Sequence, residues 1–274
     1  MYAIDFEFDG VYLSDFGMII CSFDGTSGSE TVSAGSKITF NKVSMDKGKT
    51  YSLTGTQYDE CIQATFTIAK NPCKHNDNDQ MKITNDEYRD LMRWLNRKEF
   101  LRFQIFDEDE EFRDACYFNA SFNIDKVLIG GKLYGLTLTM ETDKPFGYGE
   151  EQKITYTIND TSKNYILYDV SDEIGYIYPD ITIKCMSDGD LTITNETEDC
   201  IVTIKNCSVG EVITMNGKAQ IITSSYNSHA IYDDFNFEFF KIGNSFDNRE
   251  NVITASLPCM LEIIYEPIIK DIPA

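Results

Sequence analysis

Gly48-Lys49-Thr50 has the ending of a phosphate-binding loop, in which backbone N–H groups cradle phosphate and the lysine adds its charge. That loop also needs a glycine five residues before Gly48, and Val43 stands there. The strand-then-helix setting that aims N–H groups at an anion is missing too. Asp107-Glu108-Asp109-Glu110-Glu111 is the densest carboxylate run, and calcium takes such oxygens. No glycine supplies the sharp turn of a helix–loop–helix calcium site, and strand-like sequence flanks the run. It reads as a solvated acidic hairpin tip. His75 and His229 are the only near-neutral bases, each in a polar, loop-like stretch. No Gly-x-Ser-x-Gly elbow occurs. The 45 acidic residues allow many carboxylate pairs for sugar hydrolysis, but spacing singles out none. Eight cysteines (21, 61, 73, 116, 185, 200, 207 and 259) are scattered without a CxxC and read as buried free thiols. Cys73-Lys74-His75 sets a thiol near an imidazole but is not assigned as a metal site. The sequons at Asn119, Asn159, Asn195 and Asn206 carry no meaning without secretion. No catalytic, cofactor-binding or metal-ligating residue is therefore assigned, no cofactor is expected, and the chain does not read as an enzyme.

The elements that would carry any site are mostly strands. Apolar residues alternate with polar ones at Ile62/Ala64/Phe66/Ile68, Leu101/Phe103/Ile105, Phe118/Ala120/Phe122/Ile124 and Leu136/Leu138/Met140. The same period of two returns at Ile181/Ile183/Cys185, Cys200/Val202/Ile204, Phe235/Phe237/Phe239 and Leu261/Ile263/Tyr265. One wet and one dry face implies antiparallel sheets. One helix is expected over 85–96. Thr84 and Glu87 make a capping box, and Tyr88, Leu91, Met92 and Leu95 form a single apolar stripe with Trp94 beside it. Asn216-Gly217 predicts a hairpin between Val212–Met215 and Ala219–Ile222. The chain is expected to divide near Lys144–Gly149, giving domains over 1–148 and 149–274. Residues 25–58 are rich in Gly, Ser, Thr and Lys and read as an outward-reaching arm or hairpin, with Ile38–Phe40 and Tyr51–Leu53 as its two sides.

The 274 residues carry a formal net charge of −21, and both halves are acidic. This leaves no basic footprint for specific nucleic-acid contact and no polybasic membrane patch. Met1–Gly10 has neither the basic start nor the apolar core of a signal peptide, and no stretch approaches a membrane span. Synthesis in a cytoplasm is the expectation.

Several stretches, taken in order, resemble the siphophage distal tail protein family. Phe6-x-Phe8-Asp9-Gly10-Val11-x-Leu13-x-Asp15-Phe16-Gly17 resembles its start. Arg93-Trp94-Leu95, then Phe100-Leu101-x-Phe103 and Asp114-x-x-Tyr117-x-Asn119-Ala120, resembles its helix and following strands. Leu136-Thr137-Leu138-x-Met140 through Asp143-Lys144-Pro145-Phe146-Gly147-Tyr148 resembles the close of its first domain. In the second half, Ile174-Gly175-x-x-Tyr178-Pro179-Asp180-Ile181-x-Ile183, Val209-Gly210-Glu211-Val212-Ile213 and Asp234-Phe235-x-Phe237 resemble its C-terminal pattern. Gly243-Asn244, Asn251-Val252-Ile253 and Leu261-Glu262-Ile263-Ile264-Tyr265-Glu266-Pro267 complete it. The usual Gly-Asn before the last strands is here Glu250-Asn251, a departure.

The resemblance implies a mainly β protein. Its N-terminal domain would be a β-sandwich-like ring domain with one α-helix, and its C-terminal domain a galectin-like β-sandwich. It implies a distal tail protein of a phage or prophage tail, forming a ring with itself, usually of six subunits, around the DNA channel. The ring would join the tail tube protein to a tail-associated hub or fibre protein at the virion tail tip, with a receptor-binding protein as a further partner. The alternative is a carbohydrate-binding module serving adsorption, with Tyr226, Tyr232 and Phe235 to stack on sugar.

Overall fold

In a computed structural model, residues 3–21, 37–48, 50–74, 79–107 and 116–270 are described. They form two compact units, one of Met1–Tyr148 with Ile269–Ala274 and one of Gly149–Ile268. Among the described residues no helix is long and apolar enough to cross a membrane.

The first unit holds β1 (Ala3–Phe8), β2 (Val11–Tyr12), β3 (Met18–Cys21), β4 (Ile38–Met45), β5 (Thr50–Tyr58) and β6 (Gln63–Lys70). Helix α1 (Asn85–Leu95) follows, then β7 (Leu101–Asp107), β8 (Phe118–Ile129), β9 (Lys132–Thr142) and β10 (Gly147–Tyr148). Seven strands make one antiparallel sheet in the order β2-β1-β7-β8-β9-β6-β3. Its apolar face buries Phe6, Phe8, Phe103, Phe122, Leu138 and Met140 beneath α1. Thr84 caps the helix as expected: the Thr84 N–H donates to Glu87 Oε2 at 2.7 Å and the Glu87 N–H to Thr84 Oγ1 at 3.3 Å. Leu91 and Leu95 are fully buried. Trp94 is no bystander to the stripe. Its indole N–H donates to the Phe8 carbonyl at 2.9 Å, and its ring stacks on Phe16 and Phe6, tying the helix to the first strand.

The β8–β9 hairpin turns on Gly130-Gly131, with Ile129 opposite Lys132. Both glycines have positive φ, 59° and 75°, the mirror-image turn that matches strand twist.

The second unit contains β11 (Gln152–Ile158), β12 (Tyr165–Tyr168), β13 (Gly175–Ile177), β14 (Asp180–Cys185), β15 (Gly189–Asn195) and β16 (Cys200–Cys207). It continues with β17 (Val212–Asn216), β18 (Ile221–Ser224), the short α2 (Ile231–Asp234), β19 (Ile242–Asn244), β20 (Glu250–Ala255) and β21 (Cys259–Tyr265). A five-stranded sheet, β11-β21-β14-β17-β18, and a four-stranded sheet, β12-β20-β15-β16, enclose a core that includes Ile183, Ile193, Ile204, Ile213, Ile253 and Leu261. Ile268–Ile269 (β22) pairs with β10.

Two local expectations need correction. Phe235–Phe239 is not a strand: Phe237 adopts φ 60° and is exposed, which breaks the alternation, while Phe235 and Phe239 still turn inward. The hairpin after Asn216 exists, but Asn216 pairs with Ile221, so its loop is four residues long. Gly217 is needed there for space, because an added Cβ would strike the carbonyls of Tyr178 and Pro179.

Candidate functional site

The part of residues 25–58 that is described is a hairpin. Strands β4 and β5 pair from Ile38↔Tyr58 to Met45↔Thr50 and form a two-stranded sheet of their own. At the base the Asp59 N–H donates to the Lys37 carbonyl at 2.9 Å, and Lys37 pairs with Asp59 at 3.8 Å. The turn at its tip, Asp46–Gly48, has Lys47 and Gly48 at positive φ. Gly48 and Thr50 therefore lie in a strand–turn–strand setting that cannot present N–H groups to phosphate as a helix start does.

The register of this hairpin has one irregularity. Asn41 faces Gly55 but Lys42 faces Leu53, so Thr54 is an extra residue on β5, and its hydroxyl donates to the Asn41 carbonyl at 3.0 Å. Side chains alternate faces along a strand, so one extra residue changes the parity of everything beyond it. Without it Tyr51 and Leu53 would lie on the opposite face from Phe40. With it, Ile38, Phe40, Leu53 and Tyr51 share one face and are 45–64% exposed. The Lys42 ammonium lies 5.7 Å from the Phe40 ring on that face. A lone two-stranded hairpin is marginal in water. Covering one such side chain is worth about 1.5–3 kcal/mol. The arm thus carries a contact surface that its own unit leaves open.

Leu128 and Ile129, beside the Gly130-Gly131 turn, are exposed on a second projecting tip. The sequence reading passed over this turn, although Gly-Gly between two alternating runs is its signal. The outer edges of the seven-stranded sheet are short, two residues in β2 and four in β3, which limits what they can add by edge pairing.

In the second unit Phe235 is buried, and the Tyr226 hydroxyl donates to the Val209 carbonyl at 3.0 Å. Of the three aromatics offered for sugar stacking, Tyr232 remains freely exposed, beside a shallow pocket of about 420 Å³ with Tyr226, Asn227, His229 and Asp233.

His229 lies in a loop but is buried, contrary to its polar surroundings in sequence. Its Nδ1 is 2.6 Å from Glu211 Oε1, and its Nε2 is 3.4 Å from Asp234 Oδ2, an ion-pair separation without a directed hydrogen bond. Burial would lower the imidazole's pKa, but the Glu211 carboxylate outweighs this and raises it. Burial would likewise raise Glu211, but hydrogen bonds from Ser224, His229 and the Ser208 N–H hold it below the ordinary carboxylate range. Cys185, Cys200, Cys207 and Cys259 are buried; Cys21, Cys61 and Cys116 are half-buried, and Cys73 is exposed, so the thiols are not uniformly core residues. His75 and Glu108–Glu111 lie outside the described residues.

The arrangement offers surfaces for association: an aromatic-cored sheet with a projecting apolar hairpin, followed by a β-sandwich. A family profile described as phage tail protein N-terminal domain matches residues 1–144, and one described as phage tail C-terminal domain matches residues 146–265. The chain belongs to this phage tail protein family. Its fold is also that of the SPP1 Dit (gp 19.1) protein, described as a paradigm of the hub adsorption apparatus in phages infecting Gram-positive bacteria. The TM-score is 0.62 at 10% identity, covering 96% of this chain and 98% of that one. No curated protein sequence matches the chain.

Proposed function

We propose that the protein is a ring-forming distal tail protein. Its first domain, 1–148, closes with copies of itself, six in the usual case, around the DNA channel. The ring joins the tail tube protein on one side to a tail-associated hub or fibre protein, and through it a receptor-binding protein, on the other. The second domain, 149–274, is a galectin-like sandwich. The role is assembly at the virion tail tip after synthesis in the host cytoplasm, without turnover. The observation that carries this reading is the β4–β5 hairpin, whose exposed apolar face is open to a neighbouring copy of the first domain. A head-to-tail contact of this kind generates a ring when its rotation closes. Shared acidity would keep DNA from adhering to the inner wall. The saccharide-binding alternative loses Phe235 to the core and keeps Tyr226 and Tyr232 at a shallow pocket, so the ring reading is preferred.

The test is negative-stain microscopy and light scattering of the chain, alone and with tube and hub proteins. The native chain is expected to close into rings. A Phe40→Ser, Leu53→Ser variant is expected to stay monomeric with unchanged Trp94 emission, because both side chains are exposed in the single chain. A native chain that remains solitary beside its partners, or a variant that still closes, would overturn the proposal.

A further inference from the structure

At one end of the second unit's sandwich, donors from different segments converge. Cys185 ends β14 in the five-stranded sheet, and Cys207 ends β16 in the four-stranded sheet. Glu211 closes the turn between β16 and β17, where the Gly210 N–H donates to the Cys185 carbonyl at 2.8 Å and the Cys185 N–H to the Glu211 carbonyl at 2.9 Å. The two sulfurs and a Glu211 oxygen lie within 4.8 Å of one another, and all three residues are buried.

We propose that Cys185, Cys207 and Glu211 bind one zinc-class divalent cation that clips the two sheets together. Two sulfurs and a carboxylate oxygen are donors suited to zinc, and the spread of their atoms suits a shared tetrahedral centre. Thiols fill a core without help, and the Glu211 carboxylate already accepts from the Ser224 hydroxyl and the Ser208 N–H and pairs with His229. Those contacts do not involve the two sulfurs that gather beside the same carboxylate; one dication would engage all three donors. His229 then acts on Glu211 rather than on the metal: its 2.6 Å contact fixes the carboxylate, the role an outer partner plays toward a metal ligand. Binding converts both thiols to thiolates and releases their two protons to solvent, with no change of oxidation state.

The full chain is loaded with Co²⁺ as a spectroscopic stand-in for Zn²⁺. One equivalent per chain is expected, with near-ultraviolet sulfur-to-cobalt charge-transfer absorption. Cys185→Ser and Cys207→Ser are expected to abolish that band, and the exposed-thiol control Cys73→Ser to keep it. His229→Gln should keep the band but weaken binding about 10–100-fold. Glu211→Gln preserves shape and should also weaken binding, so it decides the matter if a serine variant loses its circular dichroism. Uptake of less than one equivalent, binding without the thiolate band, affinity unchanged in Glu211→Gln, or a chain two hydrogens lighter through a Cys185–Cys207 disulfide would each overturn the site.

Discussion

Asn251 shows how much a single side chain can hold. It is fully buried; its Nδ2 donates to the Gly243 carbonyl and its Oδ1 accepts the Gly243 N–H, both at 2.9 Å. Asn195 Nδ2 donates to the same Oδ1 at 2.8 Å. A Cβ at Gly243 would meet the Glu198 carboxylate, so a side chain there would have to displace that glutamate. Asn251→Ala leaves the Gly243 N–H and carbonyl without their side-chain partner and takes one of two acceptors from the Asn195 amide, which keeps the Lys241 carbonyl. It should destabilise the second unit by about 2–3 kcal/mol. The measurement is urea unfolding followed by far-ultraviolet circular dichroism, with fluorescence as the internal control. Trp94 is the sole tryptophan and lies in the first unit, so its transition should not move. At this scale the sequence revealed motifs but not meetings. Nothing in the spacing of Cys185, Cys207, Glu211 and His229 says that three separate stretches of chain, one of them carrying both Cys207 and Glu211, bring them together.

Elements were more legible. Period-two alternation marked most strands, and the capping box located α1 to within a residue, because both signals are local. The β4–β5 arm was readable as a hairpin, but its sidedness was not. Alternation counted straight through puts Phe40 and Leu53 on opposite faces; the register decides otherwise, and register is set by pairing. The failure at Phe235–Phe239 has the same origin, since φ at Phe237 is chosen by tertiary packing. Deleting Thr54 tests the sidedness directly. The hairpin can re-form without its bulge, but Tyr51 and Leu53 then face away from Ile38 and Phe40. Ring closure should be lost in electron micrographs while the Trp94 unfolding transition stays in place. Deleting Thr54 with no effect on closure would separate the arm's apolar face from assembly.

The whole molecule is a crowded anion. Each copy carries −21, so gathering several copies opposes their mutual repulsion. Repulsion between exposed charges is screened over about 8 Å at physiological ionic strength and over about 30 Å at 0.01 M salt. Ring formation by the native chain should therefore strengthen as salt rises, the opposite of an assembly held by surface ion pairs, and sedimentation velocity across a salt series reads this out. The path of the backbone has a consequence of its own. The chain leaves the first unit after Tyr148 and rejoins it at Ile269, and the strands that flank the excursion, β10 and β22, lie side by side. The second unit is thus inserted in the chain of the first through adjacent strands. A unit inserted this way can be exchanged for a larger or smaller one by recombination at two neighbouring points, leaving the seven-stranded sheet of the first unit intact.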